Sequence, residues 1–159
     1  MTKVPALAAT RTLSDVAADE PTKKHKRPKA ITPLSLAKLR DEGYYAEKVE
    51  QRLPIPGAFV TKDWGGFADI LAVNENLGVL LVQTTGGSGG NAATRMRKME
   101  APPVSEVVAR CLHAGVEVHV HHWAKRGLRG ERKTYTCRVI KARLGAGDTI
   151  EWEEEKRDG

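Results

Sequence analysis

Two apolar segments near the centre of the chain, separated by a short polar stretch, form the strongest pattern of hydrophobic and polar positions. They span residues 64–73 and 79–85, and residues 74–78 join them as a polar connection that ends in glycine. This pattern predicts two β-strands paired as a hairpin. Because both segments are mostly aliphatic, we expect the hairpin to lie in a sheet that is covered on both faces.

The few polar side chains of this hairpin are placed so that they meet. If the turn centres on Asn76, Asp69 lies opposite Gln83. Side chains alternate between the faces of a strand, so Asp69, Gln83 and Thr85 are expected on one face. Each of them alone also fits an ordinary strand-end polar group, and Thr is a good strand former. Their joint register favours a divalent-metal site for cutting phosphodiesters.

The remaining pattern predicts one α/β domain built around a single sheet. Apolar residues at helical spacing indicate helices, and alternating segments indicate strands. Thr32 is expected to cap the first helix, and Asn91 the helix after the glycine-rich loop. The predicted elements, in order, are a helix that ends at Gly43, a strand over 44–50, a loop over 52–57, the hairpin, helices over 92–100 and 104–115, and strands over 116–123, 133–144 and 149–153.

Length and composition fit one domain with short tails. The chain has 159 residues and a net charge of +6, from 26 Lys and Arg against 20 Asp and Glu. We expect a disordered basic arm over residues 1–30, a folded domain over 31–154 and a frayed tail over 155–159. The basic balance fits a polyanionic partner without establishing one. No apolar run is long enough to span a bilayer and the start shows no signal segment, which predicts a cytoplasmic protein without a membrane partner.

The predicted order of elements is a helix, three strands, a helix and a strand, with an Asp on the second strand and two polar residues at the end of the third. Residues 62–72 (KDWGGFADILA), residues 82–85 (VQTT) and the helix with Arg95 and Lys98 carry this pattern. Together they resemble the PD-(D/E)XK nuclease superfamily, and in particular the compact phage and bacterial proteins described as Holliday junction resolvase-like. The resemblance spans residues 33–123 and implies a restriction-endonuclease-like αβββαβ core, in which helices flank a mixed central sheet.

That resemblance implies a metal-dependent DNA endonuclease that hydrolyses phosphodiester bonds with Mg²⁺ or Mn²⁺. The metal lowers the pKa of bound water, and a nearby cation stabilises the negative charge that develops. Asp69 matches the central metal-binding Asp of the superfamily, and Gln83 stands where a second acid normally lies, a position at which Gln variants occur. Thr85 stands where the superfamily has a Lys, which is the main departure. Since resolvase-like enzymes commonly act as dimers, a homodimer is implied as well.

Other residues can supply a further carboxylate and the cation. The candidate acids precede the hairpin: Glu47, Glu50 and Asp63. The candidate cations flank it: Lys62, Arg95 and Lys98. The residues expected to contact DNA are Lys62, Arg95, Arg97, Lys98, Lys125 and Arg126. By default, the three basic residues of the helix after the glycines form a solvated face, and contact with phosphate is their second interpretation.

A catalytically inactive relative of the same fold is the main alternative. It would bind nucleic acid or a protein partner. The replacement of an acid by Gln83 and of the Lys by Thr85 favours it.

A second alternative is a dinucleotide-binding turn. Residues 87–92 (GSGGNA) fit its G-x-G-x-x-A pattern between a strand and a helix. That site needs a parallel strand ending in an acid roughly 20 residues further on, where this chain is predicted to be helical.

Three histidines near the last part of the sheet suggest zinc as a third alternative: His119, His121 and His122. His119 and His121 share a face, but no third ligand follows at a known spacing. The simpler interpretation is the polar outer face of a half-exposed strand.

Overall fold

The computed structural model describes residues 30–87 and 89–155. Apart from their residues 30 and 155, the predicted basic arm and the predicted frayed tail lie outside the described residues. The helices are α1 (Thr32–Asp41), α2 (Gly89–Glu100) and α3 (Val104–His113), and a short 3-10 helix covers Ala146–Asp148. The strands are β1 (Tyr45–Lys48), β2 (Gln51–Ile55), β3 (Ala58–Lys62), β4 (Ile70–Asn74), β5 (Gly78–Gly86), β6 (Glu117–Arg126), β7 (Thr134–Leu144) and β8 (Ile150–Glu154).

The fold is α/β, with a mixed sheet of six strands in the order β1-β4-β5-β6-β7-β8 and a separate pair, β2-β3. Strands β5 and β6 are parallel, and the other neighbours in the large sheet are antiparallel. Helices α2 and α3 form the crossover between the two parallel strands. No helix among the described residues is long and apolar enough to span a membrane.

The central hairpin, β4 with β5, has the predicted register. Asn74 pairs with Gly78, which centres the turn on Asn76. Strand β4 is shorter than predicted, however, because residues 64–68 form a tight turn. The amide of Ala68 donates to the carbonyl of Trp64 at 2.9 Å, and two consecutive glycines in this turn adopt positive φ. Asp69 therefore lies immediately before β4 and not within it.

The sheet is covered on both faces at β5, as the aliphatic composition predicted, but one face of β4 is open, where Leu71 and Val73 are exposed. On one face, α1 packs its Leu39 against residues of β4 and β5 such as Ile70 and Val82. On the other, Met99 of α2 and Val108 of α3 belong to a cluster with residues of β5, β6 and β7. Burial of these side chains contributes roughly 25 cal/mol per Å² of apolar surface and fixes the hairpin in the middle of the domain.

The loop predicted over residues 52–57 is wrong, because these residues belong to a second hairpin. Strands β2 and β3 pair antiparallel, with Pro54 opposite Phe59. A proline is tolerated there because each strand of a two-stranded sheet has a free edge, so the missing N–H need not take a ladder bond. Every residue of both strands is exposed. We call this element the exposed hairpin.

The half-exposed strand predicted for the three histidines is also wrong. His119, His121 and His122 are all buried, since β6 lies between β5 and β7 and α1 covers one of its faces. The hydroxyl of Ser35 on α1 accepts a bond from Trp123 Nε1 at 2.8 Å and lies 3.2 Å from His121 Nδ1. Burial, with smaller contributions from His119 and Lys38, lowers the pKa of His121 from 6.5 to about 3.

This buried histidine predicts a loss of stability in mild acid. Between about pH 6.5 and 3 the unfolded chain takes up a proton at His121 that the folded protein refuses, so the free energy of unfolding falls as pH falls. The expected loss is about 2 kcal/mol between pH 7.5 and pH 5. Chemical unfolding of the His121→Gln variant at both pH values should show a pH-dependent loss smaller by about this amount.

His113, which is exposed at the end of α3, offers a matched control, and His113→Gln should not reduce this loss. If the native protein and His121→Gln lose the same free energy of unfolding between pH 7.5 and pH 5, His121 is not the group responsible.

Candidate functional site

A polar cavity of about 750 Å³ opens where β4 begins and β5 ends. Four groups of residues line it: Ile31 and Thr32 at the start of α1; Glu50, Thr61 and Asp63 around the exposed hairpin; Asp69 with Gln83, Thr84, Thr85 and Gly86 in the central hairpin; and Asn91, Thr94 and Arg95 on α2. A side chain at Gly86 would collide with that of Ile31, so a larger residue there would have to displace Ile31 at the start of α1. The cavity thus lies at a junction of several elements and contains all three residues selected from the central hairpin.

Asp69 is held by three hydrogen bonds to a single carboxylate oxygen. Its Oδ2 accepts from Gln83 Nε2, from the amide of Thr84 and from Thr84 Oγ1, each at 2.7 Å. Strand β4 starts at Ile70, paired with Val82, so the carboxylate takes the N–H of β5 that lies beyond the end of this pairing. Because all three bonds use Oδ2, Oδ1 is the oxygen left for a ligand in the cavity.

Thr84 is the residue of this site that sequence reasoning missed. Alternation along β5 places it on the opposite face from Gln83 and Thr85, so the pattern removed it from the candidate set. Its amide and hydroxyl nevertheless both reach Asp69. Since the Thr84 hydroxyl donates to Asp69, the hydroxyl of Thr32, 3.3 Å away, donates to Thr84.

The helix caps predicted for Thr32 and Asn91 are wrong, and both side chains contribute to the cavity. Ile31 occupies the N-cap position of α1, without a side-chain hydrogen bond, while the Thr32 hydroxyl contacts Thr84. Asn91 lies inside α2, which begins at Gly89, and its amide donates to the carbonyl of Gly86.

Gln83 is buried and only half satisfied. Its Nε2 donates to Asp69 Oδ2 at 2.7 Å and to the carbonyl of Thr84 at 3.2 Å. Its Oε1 is buried and has no hydrogen-bond partner among the described residues. A buried acceptor without a partner costs about 1–3 kcal/mol, so a donor or a cation at Oε1 would be stabilising. Thr85, also buried, lines the cavity with an uncharged hydroxyl where the resemblance implied a Lys.

Of the three candidate acids, two line the cavity and one does not. Glu50 and Asp63 line the cavity; Glu50 pairs with Lys48 at 2.5 Å, and Asp63 lies 3.4 Å from Lys98. Glu47 does not line the cavity, and its carboxylate accepts a bond from Tyr45. The additional carboxylates of this site are therefore Glu50 and Asp63.

Burial raises the pKa of Asp69 above its ordinary value of 3.8. The hydrogen bonds from Thr84 act in the opposite direction, and the negative charges of Asp63 and Glu50 add to the increase. The ionised site thus concentrates negative charge in a poorly hydrated place, which favours binding of a cation.

Among the basic candidates, Arg95 is the one that lines the cavity. Lys98, one helical turn away on α2, is turned to Asp63. Lys62 and Arg97 are exposed outside the cavity lining. Lys125 and Arg126 lie on β6 beyond Trp123, the partner of Gly86, and so extend past the end of β5 that forms the cavity.

The residues that could hold a divalent cation are Asp69 and Gln83, with Glu50 and Asp63 around them. Within residues 30–87 and 89–155, no group of three or more His, Cys, Asp or Glu side chains could hold a metal ion. Mg²⁺ nevertheless often uses only one or two carboxylates and takes its other ligands from water and phosphate. Gln83, whose Nε2 bonds the Asp69 carboxylate and whose Oε1 has no partner among the described residues, fits such a sparse set of hard oxygen donors.

The glycine-rich turn does not have the surroundings of a dinucleotide site. Strand β5 is the second arm of a hairpin, and the region where an acidic strand end is required is helix α3, Val104–His113.

Comparison of the chain with protein-family models, with curated proteins and with solved structures gave no match.

The raised pKa of Asp69 predicts that its charge destabilises the protein when no cation is bound. The folded protein holds this proton to higher pH than the unfolded chain, so the free energy of unfolding falls as pH rises through that window and stays lower above it. Asp69→Asn keeps an oxygen that can accept the bonds to Oδ2. We expect it to melt at higher temperature than the native protein at pH 7 in a chelator.

Glu47→Gln removes a carboxylate outside the cavity and serves as the matched control, with little change in melting temperature expected. An Asp69→Asn variant that melts below the native protein would show that the charged hydrogen bonds to Thr84 outweigh the cost of burial.

Proposed function

We propose that this cavity is the centre of a metal-dependent endonuclease that hydrolyses phosphodiester bonds of DNA. The observation that carries the proposal is the unpartnered, buried Oε1 of Gln83, held next to Asp69 in a cavity that also contains two more carboxylates and Arg95. An acidic pocket with a free carbonyl oxygen suits Mg²⁺ or Mn²⁺, and a single arginine in it suits phosphate.

The order of elements supports the restriction-endonuclease-like core. Helix α1 is followed by β1, β4 and β5 as antiparallel neighbours, then by the helical crossover and the parallel strand β6. This order is consistent with the αβββαβ core of the PD-(D/E)XK superfamily, with the exposed hairpin as an insertion between its first and second strands. In such a core, Asp69 and Gln83 would occupy the metal-binding positions.

The chain's own residues would divide the work as follows. Asp69 and Gln83 would hold the cation through Oδ1 and Oε1, and Glu50 and Asp63 would hold water in its shell. When bound, the cation lowers the pKa of water and neutralises charge on the phosphate. Overall, hydrolysis would add the hydroxyl of a water molecule to phosphorus, break one P–O ester bond and leave the proton on the departing oxygen.

Arg95 would take the part for which the superfamily uses a Lys. Thr85 carries no charge, and Lys98 is paired with Asp63, whereas Arg95 lines the cavity from α2. A guanidinium can bind two phosphate oxygens at once and stabilise the charge that develops on them. Lys62, Arg97, Lys125 and Arg126 would contact the DNA backbone further from the cut, where their contribution is electrostatic and salt-dependent.

An inactive nuclease fold that binds nucleic acid is the second candidate. It is favoured by Gln83 and Thr85 in place of an acid and a Lys, and by the lack of a three-residue metal-binding group in the described part of the chain. The two candidates differ in whether the cation binds at all.

Binding of the cation is therefore the first test. Mn²⁺ at 100 times its dissociation constant should add about 2.7 kcal/mol to the free energy of unfolding of the native protein. Glu47→Gln should gain the same amount, and Asp69→Asn should gain none, because it lacks the anionic oxygen. Equal gains in the native protein and Asp69→Asn would remove Asp69 from the metal site.

Cleavage is the second test, with nicking of duplex and branched DNA measured in Mg²⁺ and in Mn²⁺. Arg95→Ala should lower the rate about 100-fold, the usual effect of removing one group that stabilises transition-state charge. Arg97→Ala, on the same helix but outside the cavity, should stay within a few-fold of the native rate. Equal losses in both variants would assign the arginines to DNA binding, and no nicking by the native protein would leave the inactive fold.

A further inference from the structure

The exposed hairpin carries more large apolar side chains than a solvent-exposed element needs. Its apolar side chains, Leu53, Ile55, Phe59 and Val60, all stand in solvent, and the ring of Phe59 is 59% exposed. A two-stranded hairpin is only marginally stable alone in water, so keeping apolar side chains exposed on it needs a reason. Exposed apolar patches commonly mark binding surfaces.

The two faces of this hairpin are chemically different, and one of them continues into the cavity. Arg52 pairs with Thr61, and Pro54 with Phe59, so these four side chains share one face. Thr61 lines the cavity. The face with Arg52 and Phe59 therefore extends the wall of the candidate active site, while Leu53, Ile55 and Val60 lie on the other face.

Arg52 and Phe59 form a stacked pair on the cavity-side face. The guanidinium carbon of Arg52 lies 4.1 Å from the centroid of the Phe59 ring. Such cation–π contact holds the ring and the charge in a fixed relation. Much of the ring remains exposed to a ligand, and the adjacent guanidinium is available for an anion.

The charge of the hairpin favours a polyanion with flat, apolar groups. Residues 51–62 include Arg52 and Lys62 and contain no Asp or Glu. Aromatic rings interleaved with cations are how proteins bind single-stranded nucleic acid, because every base offers a π-face and every nucleotide a phosphate.

We propose that Phe59 and Arg52 form a stacking platform for one unpaired base of the DNA whose phosphate enters the cavity. The inference rests on the proposed function and extends it from duplex DNA to substrates with unpaired nucleotides, such as branch points and single-stranded flaps. Phe59 stacks on the base, and Arg52 contacts an adjacent phosphate.

A second copy of this chain is the competing occupant, and it suits the opposite face better. Leu53, Ile55 and Val60 form an aliphatic surface there, with Lys62 at the end of the same face. The platform face would place two Arg52 side chains against each other in a symmetric contact, which is unfavourable for like charges.

The test compares Phe59→Ala with Val60→Ala, adjacent residues on opposite faces of β3. Binding of forked DNA labelled with 2-aminopurine at the unpaired position is followed by fluorescence in a chelator, so that no cleavage occurs. Phe59→Ala should bind about tenfold more weakly and lose the change in 2-aminopurine emission, as expected for one lost stacking contact. Val60→Ala should match the native protein, and Phe59→Trp should restore both signals. Melting temperatures verify that all variants fold.

Equal binding by Phe59→Ala and Val60→Ala would overturn the inference, and so would a native protein that binds no forked DNA. A change of molecular mass in sedimentation caused by Phe59→Ala would assign the face to a second copy and overturn it too. Failure of the endonuclease proposal has a different signature. There, the native protein binds forked DNA through Phe59 but nicks nothing in Mg²⁺ or Mn²⁺, and the stacking platform stands without it.

Discussion

The bond between Thr84 and Asp69 is the constraint on which the described site depends. Pairing between β4 and β5 stops at Ile70 and Val82, and the next free N–H of β5 is taken by a side-chain carboxylate. The same oxygen then accepts the hydroxyl of Thr84 and the amide of Gln83. One carboxylate therefore closes the end of the sheet and orients two neighbouring side chains. A buried charge with three donors is held firmly, which is what a metal ligand requires.

In this arrangement, one side-chain oxygen is saturated with hydrogen bonds, another has none, and the carboxylate charge is buried. Oδ2 of Asp69 is saturated, whereas Oε1 of Gln83 is buried without a partner among the described residues. Burial and the charges of Asp63 and Glu50 raise the pKa of Asp69. Both features carry a cost in the ligand-free protein, and a hard cation held by Asp69 Oδ1 and Gln83 Oε1 would offset both. Unsatisfied groups and raised pKa values of this kind concentrate at functional sites.

The sequence predicted the centre of the fold better than its periphery. A short turn with Asn76 in the middle leaves only one register that buries the aliphatic face, so the meeting of Asp69 and Gln83 followed from alternation and turn length. The order of helices and strands followed from periodicity and from glycine and proline positions. These signals are local, and they need no knowledge of what covers each element.

The errors arose where tertiary contacts override local signals. Two prolines suggested a loop at residues 52–57, but a two-stranded hairpin has free edges that accept them. Alternation suggested an exposed histidine face on β6, but α1 covers it through Ser35. Alternation excluded Thr84 because its side chain was expected on the opposite face of β5. Its backbone amide, whose position does not depend on that face, nevertheless donates to Asp69.

The position of the positive charge shows that this cavity contains a cation although residue 85 is not a Lys. A Lys at position 85 would extend from β5 into the cavity that Arg95 now enters from α2. Both sources place one cation opposite the carboxylates, and the field at a phosphate depends on where the charge lies, not on which strand or helix carries it. The cavity therefore contains a positive charge although residue 85 is Thr and not Lys. The helix that supplies Arg95 also supplies Lys98 to Asp63, so α2 sets both the cation and the orientation of one acid.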